Sequence, residues 1–132
     1  MVEKYEYTYT GERHITTCII TDEKGTYKGV AVCNPEDNYS ERSGQVIAYQ
    51  RAAIKMLKRL RNDTRSQLQV LNHLMGIYKS SKRINEKDYG YKMLERTISQ
   101  YEHDLADYKL AICANEEFMK EYIKHRSEFY ND

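Results

Sequence analysis

The sequence predicts an α+β fold: a three-stranded antiparallel sheet followed by three helices, the last of them long and coiled-coil-like. Three observations support this prediction. The first third of the chain alternates polar with apolar or β-branched residues, which is typical of strands. From about residue 43 onward, apolar residues recur at steps of three and four, which is typical of helices. The only proline, Pro35, lies between these two regions.

Three short runs in the first third predict the strands of the sheet. Tyr side chains alternate with polar ones over residues 5–10, which gives the first strand a tyrosine face. The second run, His14–Thr21, is rich in β-branched residues, and the third covers Thr26–Cys33. Between them, Asp22–Gly25 has the composition of a hairpin turn. These features predict an antiparallel meander.

Two helices of moderate length are expected next. The first runs from Ser43 or Gly44 to Arg61, with one apolar face that can pack on the sheet. Asn62-Asp63-Thr64 has the composition of a helix cap and predicts a break there. A second helix is then expected over residues 65–79, with apolar residues on a broad arc that indicates burial on two sides.

The last third of the chain predicts one long helix from about Asn85 to Tyr130. Its seam follows the heptad rhythm of a coiled coil. The seam residues are Tyr91, Leu94, Ile98, Tyr101, Leu105, Tyr108, Ile112, Asn115, Met119, Tyr122, Arg126 and Phe129. Such a helix would be roughly 60 Å long at ~1.5 Å per residue, so we expect a partner along its seam. That partner is either the chain's own middle helices or a second copy, and we predict a homo-oligomer.

By length the chain is a single structural unit, with the sheet and basic helix in residues 1–62 and a helical hairpin in residues 63–132. The three cysteines lack C-x-x-C spacing, so we expect them to be reduced and buried. No signal peptide or membrane-spanning run is visible, which predicts a cytoplasmic protein.

Catalytic and metal-binding patterns are not found in the sequence. The four histidines are scattered, and no H-E-x-x-H motif, nucleophile elbow or glycine-rich phosphate loop is present. We therefore predict a protein that is not an enzyme and that uses neither a metal nor a cofactor.

Basic charge is concentrated in one segment, although the net charge of the chain is only +1. Residues 44–65 hold six bases and one acid. Four of the bases recur at helical steps: Arg51, Lys55, Lys58 and Arg59. The stripe can bind phosphates, or it can be a solvated helix face. Arg51, Lys55 and Tyr49 are the candidate ligand-binding residues in this region.

A second candidate site lies near the end of the long helix. Asn115 and Arg126 occupy seam positions, where polar residues commonly set the register of a coiled coil. Alternatively, neighbouring copies leave a cleft there, lined by Tyr122, His125 and Arg126, which would suit an anionic aromatic ligand.

One stretch of the chain resembles a known family. The run from Gly29 to Asp37, together with Gly44, Ile47-Ala48 and Arg51-Ala52, resembles a pattern in small phage proteins, and most of all the anti-Thoeris sponges. The likeness covers roughly residues 26–53. It implies an oligomeric, non-enzymatic protein that holds a cyclic ADP-ribose-type signal at subunit junctions, with Arg51 on the phosphates. In that case the protein acts in the cytoplasm of the host cell.

A second stretch, Ala48–Ala53, is similar to the last helix of double-stranded-RNA-binding domains. Three function classes therefore remain open. The first is a phage-type anti-defence protein that sequesters a nucleotide-derived signal. The second is an anti-CRISPR-like inhibitor that occludes a nucleic-acid-handling enzyme, and the third is a direct nucleic-acid-binding module.

Overall fold

The computed structural model describes residues 4–10, 14–32, 41–81 and 88–124. A three-stranded antiparallel sheet is followed by helices, as predicted, so the α+β class is confirmed. The prediction of three helices is wrong, because the described chain contains two. In order, the elements are β1 (Lys4–Thr10), β2 (Ile15–Asp22), β3 (Gly25–Val32), α1 (Glu41–Ser80) and α2 (Tyr89–Lys124).

The sheet is a meander in the order β1-β2-β3, and its register places the buried side chains on one face. Across the sheet, Tyr7 pairs with Cys18 and Cys18 with Gly29. Burial raises the pKa of the Tyr7 hydroxyl above its ordinary value, and Cys18 and Tyr5 add to that shift. A tyrosine hydroxyl is neutral at pH 7 even without this shift, so the raised pKa only extends the neutral form of the half-buried Tyr7 to higher pH.

The turn between β2 and β3 is the hairpin turn that the composition predicts. The Asp22 carboxylate accepts hydrogen bonds from the backbone N–H groups of Lys24 at 2.8 Å and Gly25 at 3.0 Å. An Asp that binds the backbone two residues on is the usual way in which this side chain stabilises a tight turn. Asp22 therefore fixes the register in which β3 returns along β2.

Helix α1 is continuous through Asn62-Asp63-Thr64, where the composition predicts a break. Residues with capping side chains end a helix only when the backbone leaves helical geometry, and neither Gly nor Pro is present to favour that. Asp63 forms instead an ion pair with Arg59, one turn earlier, at 3.7 Å. The helix therefore continues for 40 residues.

Helix α2 begins after Asp88, whose carbonyl oxygen accepts the backbone N–H of Lys92 at 3.1 Å. That bond places Asp88 at the N-cap. The predicted cap, Asn85, and the predicted final turns over residues 125–130 lie outside the described residues. In the described part of the chain, no helix combines the length and the apolar character needed to cross a membrane.

Contacts divide the chain into two compact units, Met1–Lys58 with Ile112–Asp132, and Arg59–Ala111. The core of the first unit lies between the sheet and the first half of α1. Its fully buried members are Cys18, Ile20, Ala31, Ile47, Ala48 and Ala52. Of the cysteines expected to be buried, Cys18 is buried, Cys113 is exposed, and Cys33 lies outside the described residues.

At Gly29, the backbone of α1 lies directly against strand β3. A Cβ atom placed on Gly29 would lie 2.0 Å from the carbonyl oxygen of Ala48 and 2.4 Å from the amide nitrogen of Ala52. Both are backbone atoms, which cannot move aside without shifting the helix. Only glycine is therefore compatible with this packing of α1 on β3.

The second unit is a helical hairpin held by the predicted seam. Met75 of α1 is buried with Tyr91, Leu94 and Ile98 of α2, and Leu68, Leu71 and Tyr78 pack around them. The partner expected for this part of the seam is therefore supplied by α1 of the same chain. Apolar side chains from both helices fill this part of the seam.

Replacing Gly29 by alanine tests the close approach of the helix to the sheet. We expect Gly29→Ala to lower the free energy of unfolding by about 3 kcal/mol, because the new methyl group overlaps backbone atoms of α1. Urea denaturation followed by circular dichroism measures the loss. Gly90→Ala is the matched control, since a Cβ there meets nothing within 4 Å. Equal stability of both variants would contradict the packing described.

Replacing Thr64 by proline tests the continuity of α1. In the interior of a continuous helix we expect Thr64→Pro to cost about 3 kcal/mol, because proline removes a backbone hydrogen bond and clashes with the preceding turn. If the chain broke here, Thr64 would precede the first position of the predicted helix, Arg65, and proline would remove no hydrogen bond of a helix interior, so it would be tolerated. Thr64→Ala serves as the control, with an expected change within about 0.5 kcal/mol. If the proline variant were as stable as the alanine variant, α1 would not be continuous and the break predicted at residues 62–64 would be correct.

Candidate functional site

A groove in the first unit is lined by one stretch of α1 and the last turns of α2. Its volume is about 520 Å³, within the range of about 300 to 1,000 Å³ found for small-molecule sites. The lining residues from α1 are Arg51, Ile54, Lys55 and Lys58, and those from α2 are Glu116, Met119, Lys120 and Ile123. We call this feature the cationic groove, since four bases and one acid surround it.

Two of the four bases are engaged with the edge strand of the sheet. Arg51 donates a hydrogen bond from Nη1 to the carbonyl oxygen of Val30 at 2.5 Å, and Lys55 donates from Nζ to that of Lys28 at 2.7 Å. Strand β3 has no neighbour on this side within the described sheet, so its outward carbonyls need other donors. Arg51 and Lys55 supply them from successive turns of α1.

The other two bases are available to a ligand. Lys58 and Lys120 have no hydrogen bond or ion pair within the residues that the structure describes. Both side chains are exposed, one on each wall of the groove. Glu116 lies one turn before Lys120 on α2 and is the groove's one acid among the described lining residues. The groove therefore offers two unengaged ammonium groups close to a single carboxylate.

Apolar side chains complete the groove. Met119 and Ile123 are 7% and 6% exposed, and Ile54 is half-buried beside them. A surface of this kind can cover the face of an aromatic ring, because Met and Ile present polarisable, apolar atoms. The combination of apolar atoms and cations at one site suits a ligand that has both a ring and an anionic group.

Of the six candidate residues from the sequence, the structure brings Arg51 and Lys55 into this groove. Tyr49 points elsewhere, with its ring in an edge-to-face contact with Tyr5 at 5.3 Å between centroids. Tyr122 donates its hydroxyl hydrogen to Ser43 Oγ at 3.2 Å, which ties the end of α2 to the first turn of α1. His125 and Arg126 lie outside the described residues.

Sequence reasoning did not identify the α2 wall. Glu116 and Lys120 flank Met119, which the heptad pattern assigns to the seam, and charged flanks of a seam are ordinary in coiled coils. The one feature of the sequence that could have predicted this wall is the excess of bases on α1, because any helix packed beside those bases would form a cationic cleft with them. That signal does not say which turn of α2 lies there.

Within the described residues, no group of histidine, cysteine, aspartate or glutamate side chains is arranged to hold a metal ion. Comparisons with protein-family models, with curated proteins and with solved structures found no match to the chain. Any function proposed for the cationic groove therefore rests on the residues that line it.

Exchanging single bases for methionine tests which of them support the fold. We expect Arg51→Met to lower the free energy of unfolding by about 2 kcal/mol, because the Val30 carbonyl loses a charged donor. Lys58→Met, on the same helix, should change it by less than about 0.5 kcal/mol. Urea denaturation at one salt concentration measures both. If only Lys58→Met lowered the free energy of unfolding, the conclusion that Arg51 supports the fold and Lys58 is available to a ligand would be wrong.

Proposed function

We propose that the protein binds a phosphate-bearing, nucleotide-type small molecule in the cationic groove and holds it without chemical change. The observation that carries this proposal is the pair of unengaged lysines, Lys58 and Lys120, beside the apolar surface of Met119 and Ile123. Phosphate groups bind to the lysines, and a purine or similar ring covers the apolar side chains.

The number of unengaged cations in the groove favours a ligand with few phosphates. A phosphodiester carries one negative charge, so a molecule with two linked phosphates matches Lys58 and Lys120. The carboxylate of Glu116 accepts hydrogen bonds from ribose hydroxyl or ring amino groups and repels a ligand with excess negative charge. These features together fit a nucleotide with a ribose and a pyrophosphate, such as cyclic ADP-ribose and related molecules.

Retention of the ligand, rather than turnover, is the second part of the proposal. The described lining of the groove contains one carboxylate and no hydroxyl, thiol or imidazole group. A lone carboxylate beside two ammonium groups suits binding better than the paired acid and base that hydrolysis commonly uses. In a phage-type protein, such binding would remove a signalling nucleotide from host antiviral defence, as the resemblance at residues 26–53 implies.

Direct nucleic-acid binding by the basic stripe is less well supported. Arg51 and Lys55 are bonded to carbonyls of β3, and Arg59 pairs with Asp63. Only Lys58 of the stripe is left without such a partner among the described residues. Nucleic-acid binding of useful strength commonly needs several cations in contact with phosphates along one surface.

Binding is tested with cyclic ADP-ribose, its linear form ADP-ribose and inorganic phosphate as probes. We expect cyclic ADP-ribose at saturating concentration to raise the melting temperature, because a ligand that binds only the folded state stabilises it. The Lys58→Met/Lys120→Met variant should bind at least about tenfold more weakly by calorimetry. Chromatography of the heated complex should return the nucleotide intact.

The matched control is Lys92→Met/Lys109→Met, which removes the same charge from exposed positions of α2 outside the groove. Equal weakening in both double variants would show that only the general charge of the protein attracts the ligand. No shift with either nucleotide would refute the proposed ligand class, and recovery of an altered nucleotide would refute retention.

A further inference from the structure

Helix α1 contains the longest stretch of the chain without a formally charged side chain. From Ser66 to Tyr78, thirteen successive residues include no Asp, Glu, Lys or Arg, although such residues make up 31% of the sequence. The stretch lies in the second unit, where one side of the helix packs on α2. The exposed side would ordinarily carry charged residues.

That exposed side carries a row of apolar side chains instead. Val70 is 68% exposed, Leu74 37% and Ile77 53%. At steps of four and three they lie on one face of α1, separate from the seam residues that pack against α2. The broad apolar arc expected from the sequence is therefore covered on the seam side only, within the described residues.

Beside this row is a shallow hollow, open to solvent, lined by Asn72, His73, Gly76, Ile77, Ser80 and Ser81. His73, Gly76, Ile77 and Ser80 follow at i, i+3, i+4 and i+7, the spacing of the four residues that surround an inserted side chain in knobs-into-holes packing. A Cβ on Gly76 would meet nothing within 4 Å, so the centre of the hollow is open. We call the row and the hollow together the uncharged face.

We propose that the uncharged face binds the same face of a second copy of the chain, with the two α1 helices antiparallel. The most exposed apolar side chain of the row, Val70, then enters the hollow around Gly76 of the partner copy. By two-fold symmetry the partner's Val70 enters the first hollow. An isologous interface needs both shapes on one surface, and the uncharged face has both.

Charge and geometry select this occupant and this direction. A face without formal charge brings no like charges together when it meets itself, and it gives a charged partner nothing to pair with. In a parallel symmetric pair, equivalent residues face each other, so Val70 would meet the partner's residues near 70. Only the antiparallel pair places Val70 opposite the residues from His73 to Ser80. This inference does not depend on the ligand of the cationic groove.

Sedimentation equilibrium of the full chain over about 1 to 200 µM tests the association, with a dissociation constant expected in the micromolar range for a short helix pair. Val70→Glu should weaken the dimer at least about tenfold, because a carboxylate would enter an uncharged hollow. Leu110→Glu is the matched control: Leu110 is 69% exposed on α2, and its variant should dimerise as the wild type does.

A second variant fills the hollow without adding charge. Gly76→Leu has space in the monomer and replaces glycine with a strong helix former, so the melting temperature of dilute protein should rise. The same leucine occupies the space that Val70 of the partner needs, so dimerisation should weaken. A monomer at every concentration of the wild-type protein, or dimers unaffected by both Val70→Glu and Gly76→Leu, would overturn the proposal.

Disulfide trapping tests the direction, in a Cys33→Ser/Cys113→Ser background, because Cys113 is exposed and Cys33 lies outside the described residues. Val70→Cys with Ile77→Cys should give a covalent dimer under mild oxidation. The two positions are about 10 Å apart along one helix, too far for a bond within a chain. Val70→Cys alone should stay uncrosslinked, and efficient crosslinking of that single variant would show parallel helices and overturn the antiparallel arrangement.

Discussion

The contact of helix α1 with Gly29 is the constraint on which the first unit depends. Because β3 presents no side chain there, the backbone of α1 at Ala48 and Ala52 comes directly against the strand. That approach brings this turn of the helix and the next one within reach of the strand's outer carbonyls. Arg51 and Lys55 can then bond to Val30 and Lys28. A side chain at position 29 would move α1 outward and separate these donors from their acceptors.

The packing of α1 against Gly29 gives the four bases of the basic stripe different roles. Arg51 and Lys55 satisfy the edge of a sheet, and Arg59 pairs along its own helix with Asp63. Lys58 is directed toward the groove, opposite Lys120 of α2. Edge carbonyls bonded to long basic side chains are also protected from pairing with a strand of another molecule. A cluster of bases in a sequence can therefore serve the fold and a ligand at once.

Helix α1 packs differently along its length. Its first half is covered by the sheet through small residues, and its second half packs on α2 through Leu68, Leu71 and Met75. Over residues 66–78 the opposite side has neither charge nor cover among the described residues. An exposed helix side with this composition is typical of a surface that meets another protein surface, because isolated helices gain solubility from charged outer faces.

The sequence by itself determined the strands, their turn and the seam of α2, because alternation and heptad spacing are local patterns that direct side chains to one face. It did not determine the continuity of α1, since Asn62-Asp63-Thr64 is compatible with a cap or with a helix interior. The placement of Arg51, Tyr49 and Tyr122 was decided by tertiary structure alone. Each is directed by a contact with a residue distant in the chain, Val30, Tyr5 and Ser43 respectively. The first two contacts depend on how closely α1 approaches the sheet, and the third depends on how the end of α2 packs on the start of α1. No local pattern in the sequence specifies either arrangement.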